Sequence, residues 1–426
     1  MANLIKNLAA HPRVKQLGPG LITGAADDDP SGIATYSQAG AQFGYNMLWT
    51  VILTYPLMVG IQMVSARLGC ITGRGLAANI RAVFPRPVLY AIVGLLLVAN
   101  TINIAADIAA MGQALRLLVG GSAHVYSVTF GLLCLMLQVF LRYESYVRYL
   151  KWLTLALLSY VAVAFTVHVP WGQVLHDAAL PKLILNHDTI LLIVGVFGTT
   201  ISPYLFFWQA AQEMEDLRAY AGGKGGVLLP HAEQVARQHM RRIRWDTYLG
   251  MGFSNLIAFF IILSTAATLH LNGITHIDTS AQAAEALRPI GGPVTFLLFS
   301  LGIMGTGMLA VPVLAGSAAY AVTECFEWQT GLDMKLHEAR EFYGIIAFAT
   351  VGGVLLNFTR LDPIKALLWS ADINCVIAVP IMAVMMLLGA NRKVMGPFVV
   401  RSGLRRLGWL ATAVMGATVA AMFATM

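Results

Sequence analysis

Apolar residues recur in long runs of low charge along the whole chain. A helix needs about 20 apolar residues to cross a bilayer, and the pattern predicts eleven such spans. They lie at residues 18–40, 45–66, 87–115, 124–141, 152–169, 188–212, 246–270, 291–323, 342–358, 366–390 and 407–425. The hydrophobic fraction of 58% and the charged fraction of 12% are far from those of soluble domains. The sequence therefore predicts an all-α polytopic membrane protein with a single transmembrane domain over residues 1–426.

The basic residues are distributed unevenly among the predicted loops. If the N-terminus is cytoplasmic, all but five of the 28 Lys and Arg residues fall on the cytoplasmic side, as the positive-inside rule requires. The five exceptions are Arg116, Lys182, Arg288, Arg360 and Lys365. The bias predicts an inner or plasma membrane protein with a cytoplasmic N-terminus, whose first residues form a retained segment rather than a signal peptide. Basic residues next to the spans explain the net charge of +7 by contact with lipid, without nucleic acid.

Two predicted spans contain residues that interrupt helices. The first carries "ADDDPSG" and the sixth carries "GTTISP". Asp, Pro, Ser and Gly are poor residues for a helix interior, and unwound backbone survives at membrane depth only where it is buried in protein or lines a wet cavity. Two interrupted spans, five helices apart, predict inverted five-helix repeats with a substrate site near the bilayer midplane. The repeats would cover residues 18–169 and 188–390, and residues 407–425 would form an extra helix.

An ordinary proline kink in each span is the alternative. It explains Pro30 and Pro203 but not the carboxylates of Asp27, Asp28 and Asp29. A charge at membrane depth marks a functional site by default. Three adjacent carboxylates cannot all ionise cheaply there, so we expect at least one to face water or to pair with a cation. The first two carboxylates either serve the transport path or are solvated vestibule charges and helix caps.

The run "GPGLITGAADDDPSGIATYSQAGAQFGYNMLW" resembles the first helix and its exit in the natural resistance-associated macrophage protein (Nramp) family of divalent metal transporters. The hallmark of that family is Asp-Pro-Gly-Asn, and the register places Asp29, Pro30, Ser31 and Gly32 on its four positions. The stretch "GTTISPY" occupies the place of the family motif "GATVMPH" in helix 6. The resemblance covers about residues 15–390 and implies a LeuT-like fold with helices 1 and 6 broken.

The resemblance implies a cation site around Asp29. Its other ligands would be the backbone carbonyls of Ala26 and Thr199. In helix 10, Asp372 falls near the position of a family glutamine. We interpret Asp372 either as a second carboxylate facing a partly hydrated cation or as the partner of a buried polar group.

This chain departs from the family at three site positions. Ser202 replaces a methionine, Tyr204 replaces a histidine and Gly32 replaces the hallmark asparagine. The Ser202 and Tyr204 hydroxyls either bind the cation or line its pocket, or they satisfy carbonyls freed by the break. Without a thioether the site suits Mg²⁺ or Mn²⁺ better than a thiophilic ion such as Cd²⁺. The set resembles the divergent Nramp-related magnesium transporters, and Mg²⁺ keeps several waters, which a roomy site accommodates.

The proton route implied by the family is depleted in this chain. Asp107 matches a family aspartate, whereas Ala110, Asn100 or Thr101, and Tyr204 stand where titratable residues are usual. A relay needs closely spaced groups that gain and lose protons. We therefore predict weak or no proton coupling, with the two aspartates before Asp29 as possible additional members of the path.

Other motifs favour no competing class of function. The chain has no Walker A, HExxH or paired CxxC motif, so we expect neither an enzyme nor a resident cofactor. The expected partners are a divalent cation and the lipid bilayer, with no obligate protein partner evident. The alternatives are a transporter of a small organic or amine-bearing solute and a non-transporting sensor. The isolated cysteines, expected to be small buried hydrophobes, are Cys70, Cys134, Cys325 and Cys375.

Overall fold

The computed structural model describes residues 19–140, 158, 161, 169–182, 186–220, 233–277, 280–359 and 363–425. Over these ranges the chain forms helices and no strand. The helices are α1 Pro19–Asp27, α2 Pro30–Phe43, α3 Leu48–Thr72, α4 Leu76–Val83, α5 Arg86–Val119, α6 Ala123–Phe140, α7 Trp171–Ala179, α8 His187–Thr200, α9 Pro203–Tyr220, α10 Glu233–Thr268, α11 Ser280–Phe326, α12 Arg340–Leu356, α13 Pro363–Ala390, α14 Arg392–Met395 and α15 Ser402–Thr425. Eight helical stretches of the described chain are long and apolar enough to cross a membrane.

The predicted spans correspond to these helices with two kinds of difference. The seventh and eighth spans were predicted too short, because α10 already begins at Glu233 and α11 at Ser280. Hydropathy detects only the part of a helix inside lipid, and both helices continue beyond it. The predicted fifth span, 152–169, lies almost wholly outside the described residues, as do the N-terminal segment and the loop over 221–232. The division into two repeats therefore stays a prediction.

Both predicted helix breaks are present, and each is two residues wide. Between α1 and α2, Asp29 caps the second helix: its Oδ1 accepts the backbone N–H of Gly32 at 2.7 Å, and Pro30 follows at the first helical position. Proline is well suited to that position because its fixed φ is helical and it lacks an N–H. In the sixth span α8 continues through Thr200, so that break is shorter than the predicted 198–203.

The two broken spans lie at the centre of the bundle. Helix α2 packs against α10, α8 and α13, and α1 packs against α10 and α9. The apolar window of the sixth span is 94% buried, whereas those of α6 and α15 are only 28% buried. The outer helices therefore present much of their surface to lipid, and the broken spans are surrounded by protein. This burial is what unwound backbone requires.

Helix α1 approaches α10 closely enough to require glycine. A Cβ atom added at Gly24 would collide with the backbone of Gly250, and one at Gly20 would lie 3.0 Å from the backbone of Asp246. The N–H of Gly20 also donates to Asp246 Oδ2 at 2.7 Å. In the predicted orientation α1 is the cytoplasmic half of the first span. In that orientation the α1–α10 contact would cover the cytoplasmic side of the break.

Candidate functional site

The first break and the sixth break meet at Asp29, a carboxylate only 3% exposed. The Tyr204 hydroxyl donates to the carbonyl oxygen of Ala26 at 3.1 Å and lies 3.4 Å from Asp29 Oδ2. Two oxygens from the first break thus converge on one hydroxyl from the sixth span. Such an arrangement of carboxylate, carbonyl and hydroxyl is a set of hard ligands for a small cation.

Thr199 and Ser202 lie at the break of the sixth span. The Ser202 hydroxyl lies 2.9 Å from the carbonyl oxygens of both Gly198 and Thr199. It therefore satisfies carbonyls freed by the break, one of the two roles considered for it from the sequence. The Thr199 hydroxyl faces Gly32, where an added Cβ would lie 3.1 Å from Thr199 Oγ1. The space left by the missing side chain of Gly32 therefore lies between Gly32 on α2 and Thr199 on α8.

Asp27 and Asp28 lie at the end of α1 and face α10. Each is 1% exposed, and the Ser254 hydroxyl lies 2.7 Å from Asp27 Oδ2 and 3.1 Å from Asp28 Oδ1. Asp27 Oδ1 and Asp28 Oδ2 are buried without a hydrogen-bond partner. No ion pair found among the described residues includes either carboxylate. Because both carboxylates are buried, they are not solvated vestibule charges, which was one of the alternatives considered from the sequence.

Asp107 is the remaining carboxylate of the buried centre. It lies on α5 with no exposure and beside the first break, next to the Asp29 carboxylate and the backbone N–H of Ser31. One turn away, Asn103 donates to Asn374 Oδ1 at 3.1 Å. Asn100 donates to Ser317 Oγ at 2.7 Å and is held by α11. Around Asp107 the side of α5 that faces the bundle is thus lined by amides rather than further acids.

Asp372 lies in a different environment from Asp29. It lines a cavity of about 290 Å³ that also contains Asp188, Lys365, His276 and Gln38. A Cβ at Gly195, one helical turn before Thr199, would lie 3.4 Å from Asp372 Oδ1. No hydrogen bond among the described residues joins Asp372 to Asp29. The cavity is on the side of the breaks where α8 begins, which the predicted orientation makes the outer side.

Sequence reasoning missed three residues of this centre. Asp188 and Lys365 bring charge to the outer cavity, and Ser254 contacts two of the buried carboxylates. Ser254 had a weak signal, since it lies with Asn255 in an otherwise apolar run of the seventh span. Asp188 and Lys365 precede apolar runs and are indistinguishable by sequence from ordinary loop charges.

The helical bundle with two broken central spans is that of a LeuT-fold membrane transporter. A manganese transporter of Eremococcus coleocola superposes with a TM-score of 0.71 at 17% identity, over 96% of this chain and 87% of that one. Mhp1 in an inward-facing conformation superposes with a TM-score of 0.53 at 13% identity, over 95% and 90%.

Comparison of the amino-acid sequence with known families and proteins shows the family of this chain. The model for natural resistance-associated macrophage protein-like sequences matches residues 20–425, and the chain belongs to the Nramp family. It is 26% identical over 420 residues to a "Divalent metal cation transporter MntH" of Klebsiella pneumoniae, covering 97% of this chain and 94% of the relative. With the same-named protein of Deinococcus radiodurans it shares 28% identity over 409 residues, covering 92% and 86%. The chain is thus an integral membrane protein of a transporter family and not an enzyme.

Proposed function

We propose that this protein carries a divalent cation, Mg²⁺ or Mn²⁺ or both, across a bacterial inner membrane by alternating access. The observation that carries the proposal is the convergence of Asp29 Oδ2 and the Ala26 carbonyl on the Tyr204 hydroxyl, within protein and between two broken helices. A cation bound at this point would contact the Asp29 carboxylate and the Ala26 carbonyl oxygen, both of which now face the Tyr204 hydroxyl. Relatives named divalent metal cation transporters and a structural neighbour named a manganese transporter support the cargo class.

The choice of a hard cation rests on the ligands available. Carboxylate, carbonyl and hydroxyl oxygens favour Mg²⁺ and Mn²⁺, and a soft ligand is absent at Ser202 and Tyr204. Because the Ser202 hydroxyl is engaged by backbone carbonyls, water is expected to complete the coordination shell. Mg²⁺ retains water readily. We therefore expect Cd²⁺ to bind poorly.

The cation would enter through the outer cavity. Asp372 and Asp188 give that cavity two carboxylates, partly offset by Lys365. Because Asp372 lies beside Gly195 on the α8 helix that leads to Thr199, it is well placed to attract a hydrated cation toward the breaks. In this proposal Asp372 serves on the way to the Asp29 centre.

Transport would be weakly coupled to protons or not coupled at all. The family's titratable positions are occupied here by Asn100 or Thr101, by the buried Ala110 and by Tyr204, and Asn100 donates to the Ser317 hydroxyl. The membrane potential alone supplies ~4.6 kcal/mol per divalent ion per 100 mV, from ~2.3 kcal/mol per elementary charge. Cation entry toward the cytoplasm therefore needs no proton partner.

Ligand-induced thermal stabilisation of the purified protein tests the proposal. A ligand that binds only the folded state raises its apparent stability. We expect Mg²⁺ and Mn²⁺ to raise the melting temperature, Cd²⁺ and small amines to leave it unchanged, and Asp29→Asn to reduce the Mg²⁺ and Mn²⁺ shifts. Glu341→Gln, which removes an exposed carboxylate from α12, is the matched control. Stabilisation by an amine but by no metal would contradict the proposal and favour the organic-solute alternative.

A further inference from the structure

The three consecutive aspartates of the first break have different partners. Asp29 is held by the backbone N–H of Gly32 and faces Tyr204. Asp27 and Asp28 instead share one hydroxyl, that of Ser254 on α10. The proposed function uses Asp29 alone, so the other two carboxylates need a separate explanation.

One hydroxyl cannot satisfy this pair. A serine carries a single O–H proton, yet two carboxylate oxygens lie 2.7 Å and 3.1 Å from Ser254 Oγ. The other two oxygens, Asp27 Oδ1 and Asp28 Oδ2, are buried and unpartnered. Burying unpaired carboxylates is strongly unfavourable unless a cation or a set of donors compensates. The unpartnered oxygens therefore require either bound protons or a cation.

The position of the pair favours a cation. Asp27 is the last residue of α1, where the carbonyl groups at the helix end carry partial negative charge. Helix ends of this kind, at the break of a discontinuous span, attract cations in transporters. Two carboxylates, a hydroxyl and helix-end carbonyls are all hard oxygen ligands, and two carboxylates match the charge of one divalent ion.

We propose that Asp27, Asp28 and Ser254 form a second divalent-cation site on the cytoplasmic side of Asp29, which receives the transported ion before its release. The proposal rests on the proposed function, because the ion is the same cargo. Because Asp27 and Asp28 immediately precede Asp29 in the chain, an ion would pass between the two sites over a short path. The packing of Gly24 against Gly250 holds the pair against Ser254, and separation of α1 from α10 would open it to an ion.

Counting bound Mn²⁺ ions on the purified full-length protein tests the second site. Equilibrium dialysis against Mn²⁺ in sodium-free buffer should give two ions per wild-type chain and one in the Asp27→Asn/Asp28→Asn variant. Asp29→Asn should also retain one ion. Ser254→Ala should keep both ions but weaken one by about tenfold, as loss of a supporting ligand commonly does. Pulsed electron paramagnetic resonance of the wild type should detect the dipolar coupling of two nearby Mn²⁺ ions.

Several results would overturn this assignment. One is a wild-type chain that binds a single Mn²⁺. Another is an Asp27→Asn/Asp28→Asn variant that binds two ions with unchanged affinity. If that variant still binds both Mn²⁺ ions but no longer shows a pH change that the wild type shows during uptake into proteoliposomes, Asp27 and Asp28 carry a proton instead of a cation. A wild-type chain that binds no divalent ion would contradict the proposed function itself. Single Asp27→Asn and Asp28→Asn variants, checked for monodispersity, separate loss of an ion from loss of folding.

Discussion

The first and sixth spans are broken by the same backbone device but contribute different chemistry. In both, two residues separate the half-helices and a proline begins the second half. The first break carries three buried carboxylates, whereas the sixth carries only neutral side chains around its proline, among them Thr199, Ser202 and Tyr204. The first span thus supplies charge, and the sixth supplies dipoles that face it.

This difference shows why the two breaks are not interchangeable. A second set of carboxylates facing the first would concentrate uncompensated charge in a dry centre. Hydroxyls can both donate and accept, so Tyr204 contacts Asp29 and Ala26 while the site is closed. In the proposed function, the charged break would determine whether a cation binds, and the neutral break would determine which cation is preferred.

Removal of the central charge should have the largest effect. Asp29→Asn deletes the carboxylate but keeps the shape and one oxygen. Loss of a buried, hydrogen-bonded charge that contacts a ligand costs about 3 kcal/mol, which is more than about 100-fold in affinity. Uptake of Mn²⁺ into proteoliposomes should therefore fall to background while the purified protein stays monodisperse. Uptake at the wild-type rate would refute the assignment of Asp29.

Disturbing the closure beneath the charged break should have the next largest effect. Gly24→Ala places a methyl group against the backbone of Gly250 and should cost about 1–3 kcal/mol of the closed arrangement. A cysteine introduced by Ser254→Cys should then react faster with a thiol reagent from the cytoplasmic side. Gly94→Ala is the control, because nothing lies within 4 Å of its added Cβ. Equal labelling rates in the two backgrounds would show that the α1–α10 contact does not close the site.

Substitutions at the neutral break of the sixth span should change which cation is preferred without abolishing cation binding. Ser202→Met adds a thioether and frees the Thr199 carbonyl from the serine hydroxyl. We expect the preference for Cd²⁺ over Mg²⁺ to rise about tenfold, the scale of a change in one supporting ligand. Adding Gly32→Asn should strengthen the shift, provided that the Thr199 hydroxyl moves from its place 3.1 Å from the added Cβ. Calorimetric titration with Cd²⁺ and with Mg²⁺ measures this change in preference. An unchanged preference would mean that the cation does not bind next to residues 199–204.

Removal of the Asp107 carboxylate should have the smallest effect on uptake, because we expect little or no proton coupling. Uptake at a clamped potential should acidify the vesicle lumen by far less than one proton per cation, because the polar residues that precede Asp107 on α5, Asn100 and Asn103, carry amides rather than acids. Asp107→Asn should change the uptake rate no more than about twofold, since the amide keeps the size of the side chain beside the first break and Asp29 keeps the charge. A pH-sensitive dye inside the vesicles measures the coupling. Stoichiometric acidification that Asp107→Asn abolishes would mean that the relay is more complete than proposed.

The breaks could be predicted from the sequence because their cause is local. Pro30, Pro203 and the residues before them are poor helix formers wherever they occur, so the helix must end there. The family register likewise identified Asp29, Ala26 and Tyr204, and the structure brings these three together.

What could not be predicted depends on which helices pack together. The position of Asp372 in the outer cavity follows from where α13 crosses α8, and no local pattern determines that crossing. Ser254 is a single hydroxyl in an apolar span, and only the close packing of α1 on α10 brings it to the two acids. The starts of α10 and α11 were missed because helices continue past the lipid boundary that hydropathy detects.

Competition during Mn²⁺ uptake tests the central claim most directly. Proteoliposomes containing the wild-type protein would be loaded at a clamped inside-negative potential, with tracer Mn²⁺ outside and an excess of Mg²⁺, Cd²⁺ or a small amine as competitor. A hard-oxygen site at the first break predicts that Mg²⁺ suppresses Mn²⁺ uptake while Cd²⁺ and the amine do not. Suppression by Cd²⁺ with no effect of Mg²⁺, or the absence of any uptake, would contradict the account.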